Sequence, residues 1–176
     1  MKSREFTPSN CKIVVIMHNI RSIMNVGSIL RTAEGFGVAR VFATGYTPHP
    51  DNGLPHVQTK LAKEIHKTAL GAEKIVGFVP ASDVMELIKE LRADGFRIVG
   101  LEQDDRAIPL PNYHCKNGAY KMALLIGEEV YGLTPSLCDI CDNLIEIPMF
   151  GQKESFNVSV ATGIVLYHLT ATQSTP

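Results

Sequence analysis

The chain contains no tryptophan, only 4 cysteines and almost no excess of charge: 17 Lys and Arg stand against 18 Asp and Glu, a net −1 at pH 7. The missing positive excess excludes binding to nucleic acid through global phosphate attraction, so any RNA partner has to meet a local basic patch. No apolar stretch approaches the roughly 18 residues that a membrane-spanning helix needs. The longest run near the start is Ile13-Val14-Val15-Ile16-Met17, and no small-residue cleavage site follows it, which argues against a signal peptide. Without a secretory signal, Cys11, Cys115, Cys138 and Cys141 read as the reduced thiols of a cytoplasmic protein. Also missing are a Gly-x-Gly-x-x-Gly run after the first apolar segment and a Gly-Lys-Ser/Thr phosphate loop, which lowers the case for a dinucleotide or nucleoside-triphosphate enzyme.

What is present is an ordinary globular composition, 45% apolar and 20% charged over 176 residues, enough for one domain over 1–176. Short β-branched runs alternate with helical stripes. Strands are expected at Lys12–Met17, Val41–Thr44, Lys74–Phe78, Phe96–Leu101, Met122–Ile126 and Leu144–Ile147. Helices are expected at Asn25–Phe36, after Asp83 with Val84, Leu87, Ile88 and Leu91 on one face, after Thr134-Pro135, and from Phe156 to about Thr170. Gly45 to Gly53, rich in turn residues, reads as a functional loop or lid, and a Pro-containing loop runs from Gln103 to Gly118. This alternation implies an α/β fold with a mostly parallel sheet and helices on both faces. Ligands in such sheets bind beyond the carboxyl ends of the strands, which points to the segments after Met17, Leu101, Ile126 and Ile147.

Three of those segments carry chemistry-bearing residues. After the first strand come Asn19, Arg21, Asn25 and Arg31, two amides and two guanidinium forks around a helix start, suited to holding anions. The plain alternative is Asn25 as a helix cap and Arg31 as a solvated face residue. After the fifth strand, Gly127-x-Glu129-x-x-Gly132 pairs a glycine that admits close backbone approach with a carboxylate; an ordinary turn glycine explains it equally well. After the sixth, Ile147-Pro148-Met149 leads to Ser155 and Asn157, which either bind a ligand or cap the last helix. Cys138-x-x-Cys141 has no second pair, so packing of two small residues outweighs a metal or redox site. His18 and His66 are acid–base candidates without a motif around them.

Taken in order, Asn19-x-Arg21 through Asn25-x-Gly27-x-x-x-Arg31, then Gly127-x-Glu129-x-x-Gly132, then Ile147-Pro148-Met149 through Ser155-x-Asn157-x-Ser159 resemble the three motifs of the SpoU/TrmH family. Those are RNA ribose 2′-O-methyltransferases of the SPOUT superfamily. Lys67-Thr68-Ala69-Leu70-Gly71-Ala72-Glu73 and Leu101-Glu102-Gln103 are similar to the family's intervening segments, and the likeness spans about residues 12–170. The resemblance implies a C-terminal deep trefoil knot that forms an S-adenosyl-L-methionine pocket, and a homodimer with the last helix at its interface. It places Leu101, Gly127, Ile147, Met149 and Phe156 against the cofactor. It implies Arg31 as the central catalytic residue, surrounded by Asn25, Glu129, Ser155 and Asn157, with Arg21 and Lys67 contacting RNA, tRNA before rRNA. No metal and no membrane are implied.

Because a guanidinium stays protonated at neutral pH, the role expected of Arg31 is to clamp a phosphate and steady a developing alkoxide rather than to act as base. Phe156 replaces the family's usual Leu, and Glu128 adds a charge where many members are neutral. Many members carry an RNA-binding domain before the catalytic one; only about ten residues precede the first strand here, so no separate extension is expected. Lys60, Lys63, His66 and Lys67 are then the candidates for target recognition, or simply a solvated helix face. The competing reading from another class is a non-catalytic RNA-binding relative with the same fold, against which the joint presence of Arg31, Glu129, Ser155 and Asn157 argues.

Overall fold

The computed structural model describes residues 11–51, 54–114 and 120–171; Cys115 lies outside them. Seven strands form one sheet in which every pairing is parallel. They are β1 (Cys11–His18), β2 (Arg40–Thr44), β3 (Phe78–Ala81), β4 (Arg97–Leu101), β5 (Ile108–Pro109), β6 (Tyr120–Ile126) and β7 (Asn143–Glu146), in the spatial order β3-β2-β1-β6-β4-β7-β5. The helices are α1 (Ile23–Gly35), α2 (Pro55–Ala69), α3 (Val84–Ala93), α4 (Pro135–Asp139) and α5 (Val158–Ala171).

Alternation along the central strands divides the core in two, as a period-two side-chain pattern requires. Ile13, Val15 and Met17 of β1 and Met122, Leu124 and Ile126 of β6 join α1, α2 and α5 on one face, through Val26, Ile29, Leu30, Ile65, Val165, Leu166 and Leu169. Val14, Ile16, Ala123 and Leu125 join Leu87, Ile88 and Leu91 of α3 and Leu137 and Cys138 of α4 on the other. Helices therefore cover both faces of a parallel sheet, as the sequence implies.

Local differences have local causes. The strand expected at Lys74–Phe78 instead runs Phe78–Ala81, because Lys74 ends a 3-10 turn (Ala72–Lys74) and Gly77 bends the chain at φ 65° just before the strand. Helix α1 starts two residues before Asn25: Ser22 is its cap, its side chain accepting from the Asn25 N–H at 3.3 Å. The last helix begins at Val158 rather than Phe156. Its cap is Asn157, whose Oδ1 accepts from the Ser159 N–H at 2.9 Å, so Ser155 is not the cap. Helix α2 carries the solvated face that Lys60, Lys63, His66 and Lys67 suggest; its bounds are absent from the expected helices, although Leu61, Ile65 and Ala69, four residues apart behind Pro55, signal it. Asp83 does cap α3, accepting from Met85 and Glu86.

Candidate active site

Strands β1, β6, β4 and β7 end on the same side, and the segments that leave them meet. A cleft of about 270 Å³ opens there, between Leu101-Glu102-Gln103 after β4, Ile126 to Gly132 after β6, Glu146, Ile147 and Met149 after β7, and Glu154, Ser155 and Phe156 before α5. All five residues expected to contact a cofactor, Leu101, Gly127, Ile147, Met149 and Phe156, line it. Its volume is at the small end of ligand pockets, and its mixture of apolar side chains with irregular backbone suits a flat heterocycle with a polar tail.

The turn after β6 is built around missing side chains. A Cβ on Gly127 would stand 2.4 Å from the Gly132 backbone carbonyl, so only glycine lets the turn close. Gly132, at φ 63°, leaves room for Glu102, a residue that the sequence does not single out. The Glu102 carboxylate accepts from the Leu133 N–H at 2.5 Å and the Gln103 N–H at 3.0 Å, fixing the turn to β4. Glu102 could have been found by asking what a glycine six residues beyond a strand makes room for.

Glu129, on the same turn, reaches the start of α1. Its oxygens accept from the Arg21 N–H at 3.1 Å, the Ser22 N–H at 3.1 Å and the Asn25 amide at 3.0 Å. Asn25 Oδ1 in turn accepts from the Asn157 amide at 3.2 Å, which links α1, the β6 turn and the start of α5. Burial raises the Glu129 carboxyl, but the donors from Arg21, Asn25 and Ser22 outweigh it and hold the group below its ordinary range. A carboxylate held ionised by three donors at a helix N-terminus is a poor proton acceptor near neutrality and a strong anchor.

The structure thus brings Asn25, Glu129 and Asn157 into one network and puts Ser155 on the cleft wall. It does not bring Arg31 there. Arg31 lies on the exposed face of α1, without a hydrogen-bond or ion-pair partner among the described residues, and two turns from Met24 on the same side. Arg21 flanks the network through its backbone. Lys67 is exposed on α2 and pairs with Glu64 at 2.8 Å, away from the cleft lining. Lys60, Lys63 and His66 are exposed on the same helix, His66 paired with Glu73 at 2.7 Å. His18 bonds Thr44 Oγ1 at 2.9 Å and burial lowers its pKa. Cys138 and Cys141 bond the carbonyls of Leu133 and Leu137, and burial pushes the Cys141 thiol up to about 12, consistent with packing rather than ligation. Among the described residues no cluster of His, Cys, Asp and Glu is arranged to hold a metal.

A parallel α/β sheet with a cleft beyond the carboxyl ends of three strands, bordered by a glycine turn and a Glu–Asn network at the first helix, is the ligand-binding arrangement of open α/β sheets. The chain belongs to the SpoU rRNA Methylase family, whose model matches residues 12–167. It is 28% identical over 155 residues to the tRNA (guanosine(18)-2′-O)-methyltransferase of Aquifex aeolicus, covering 88% of this chain and 67% of that one. It is 31% identical over 154 residues to the 23S rRNA (guanosine-2′-O-)-methyltransferase RlmB of Neisseria meningitidis, covering 88% of this chain and 56% of that one. The fold is similar to that of an AdoMet-bound rRNA methyltransferase from Sinorhizobium meliloti, with TM-score 0.77 and 24% identity over 93% of this chain and 56% of that one. The chain therefore spans between about half and two thirds of the length of these relatives.

Proposed function

We propose that the protein is an S-adenosyl-L-methionine-dependent RNA methyltransferase that acts on a ribose 2′-hydroxyl, in tRNA in preference to rRNA, as a cytoplasmic homodimer. The observation that carries this reading is the junction of the cleft with the Asn25–Glu129–Asn157 network through the single turn Gly127–Gly132. Family membership and relatives named as tRNA and rRNA 2′-O-methyltransferases support it. The cleft fits the cofactor: Leu101, Ile147, Met149 and Phe156 offer apolar surface for an adenine, and the backbone after β4, β6 and β7 offers polar groups.

When bound, S-adenosyl-L-methionine supplies a methyl carbon on a positively charged sulfur. The work left to the protein is to place the hydroxyl in line with that carbon and to ease loss of its proton. Glu129 fixes the first turn of α1, and through it the Asn25 amide; Asn157 is locked by its bonds to Asn25 and Ser159. These amides, with Ser155 on the wall, orient the ribose. Arg31, exposed farther along α1, clamps a phosphate of the bound RNA, and the hydroxyl proton passes to water. Arg21, and the exposed Lys60, Lys63 and Lys67 on α2, supply the local basic surface that a chain of net charge −1 requires.

The homodimer belongs to the same reading. Val160 and Tyr167 of α5, seven residues apart on one side, are 50% and 59% exposed, an apolar strip that a second copy would cover. The reading also includes the C-terminal deep trefoil knot. Bonds between the segment after β4 and the chain after β7 support it: the Gln103 amide donates to the Glu154 carbonyl at 2.6 Å, and the His168 ring meets the Tyr113 carbonyl at 2.8 Å. Incubation with methyl-labelled S-adenosyl-L-methionine and bulk tRNA or rRNA, followed by digestion to nucleosides, tests the function. Label in 2′-O-methyl nucleosides, more from tRNA, is expected; label on bases only, or in neither RNA, contradicts it.

A further inference from the structure

The cleft beyond β4, β6 and β7 is lined by five carboxylates, Glu102, Glu128, Glu129, Glu146 and Glu154, and, among the described residues, by no Lys, Arg or His. None of the five has a cationic partner at ion-pair distance among the described residues. Arg21 shares a neighbouring depression with Glu128 but is not part of the cleft wall. Glu154 is exposed and the other four are half-buried, so solvent screens those four less than open surface charges. Backbone N–H groups fix Glu102 and Glu129 in place, and Glu128 adds its charge where many family members are neutral. Like charges held together repel one another, and that cost falls when a cation joins them. No group of His, Cys, Asp and Glu among the described residues is arranged for a metal, which leaves an organic cation.

We propose that this acidic lining selects its ligand by the charge on sulfur, holding S-adenosyl-L-methionine more tightly than the demethylated product, S-adenosyl-L-homocysteine. The inference rests on the methyltransferase reading and adds to it how the cleft is cleared after each turnover. Cofactor and product carry the same ammonium, carboxylate and adenosine, so those groups cannot tell them apart. The apolar wall of Leu101, Ile147 and Met149 serves both alike. Only the cofactor has a sulfonium, and it is the more positive of the two by that one charge. Transfer breaks the bond between the methyl carbon and sulfur and leaves its electron pair on sulfur, while the ribose oxygen takes the methyl group and its proton passes to water. The charge that the carboxylates attract therefore leaves the cleft as the product forms. A cleft of about 270 Å³ is on the order of a Debye length across, about 8 Å at physiological salt, so the carboxylates act on the sulfur wherever it is seated.

Calorimetry on the whole protein tests this with three probes: the cofactor, the product, and an analogue with a protonated amine in place of the methylated sulfur. The cofactor should bind about tenfold or more tightly than the product, and the amine analogue should side with the cofactor. The preference should shrink as salt is raised from about 0.05 to about 0.5 M. Glu128→Gln and Glu146→Gln should each cut the preference about two- to fivefold, the range of a partly screened charge pair, while affinity for the product stays at the wild-type value. Variants that weaken cofactor and product equally would mark the two carboxylates as structural and overturn the assignment. Equal affinities in the wild-type protein, a tighter product, or an amine analogue that sides with the product overturns charge selection and leaves the methyltransferase reading standing. Binding of none of the three by wild-type protein overturns both.

Discussion

The two ends of α1 are held in opposite ways. At its start, Ser22 caps the helix, Glu129 takes two backbone N–H groups and the Asn25 amide, and Asn157 closes the network from α5. Toward its end, Arg31 stands exposed without a partner among the described residues, although the helix stays packed: the Phe36 ring just beyond it meets Tyr167 edge-on at 6.4 Å. One end is preorganised by hydrogen bonds, and the other leaves a guanidinium open to solvent. Preorganised donors supply positioning, whereas a free guanidinium supplies an anion clamp that takes effect only when its partner arrives. The same contrast recurs along the cleft rim. The turn Gly127–Gly132 is fixed by Glu102 and Glu129, whereas Phe150, next to the cleft-lining Met149, is 98% exposed.

If the first end is the positioning device, Glu129→Ala breaks the comparison most severely. Transfer should fall about a hundredfold, in the range for loss of a preorganised polar contact. The partly buried anchor should contribute only about 1–2 kcal/mol of stability after solvent screening, read as a drop of a few degrees in the melting temperature. Gly127→Ala comes next. Its Cβ meets backbone rather than a flexible side chain, so overpacking of about 1–3 kcal/mol and a weaker calorimetric affinity for S-adenosyl-L-methionine are expected together.

Val160→Lys sharpens the other side of the comparison. If α5 joins two copies as proposed, this change should shift the wild-type dimer to monomer in sedimentation at micromolar concentration, while the Asn25–Glu129 bonds persist; a wild-type monomer contradicts the proposed dimer. The smallest effect is in acid. The folded-state pKa of Glu129 lies below its ordinary value of 4.5, so its contribution is present above that value and is lost as pH falls through the lower, folded value. Melting curves of wild-type and Glu129→Gln protein should therefore stay apart at pH 6 and draw together progressively as the pH is taken below 4.5.

Much of this arrangement was legible in the residues. Period-two and helical stripes gave the parallel sheet and its two covered faces, and the five residues assigned to the cofactor all line one cleft. What was not legible lay in local competition. Asn25 looked like a cap, but Ser22 three residues earlier takes the cap position and frees the Asn25 side chain for Glu129 and Asn157. The strand at Phe78 was displaced because Gly77 turns the chain where apolar residues alone suggested continuation. The bracing role of Glu102 was hidden because the Leu133 N–H that it takes lies 31 residues away in sequence, brought to it by sheet order alone.

The proposal that one end of α1 positions the ribose and the other clamps the RNA is tested most directly by Arg31→Ala, with methyl transfer to bulk RNA and calorimetric cofactor affinity measured on the same preparation. The account predicts transfer reduced by about a hundredfold or more with affinity within roughly twofold of wild type. Transfer at the wild-type rate by Arg31→Ala would contradict it.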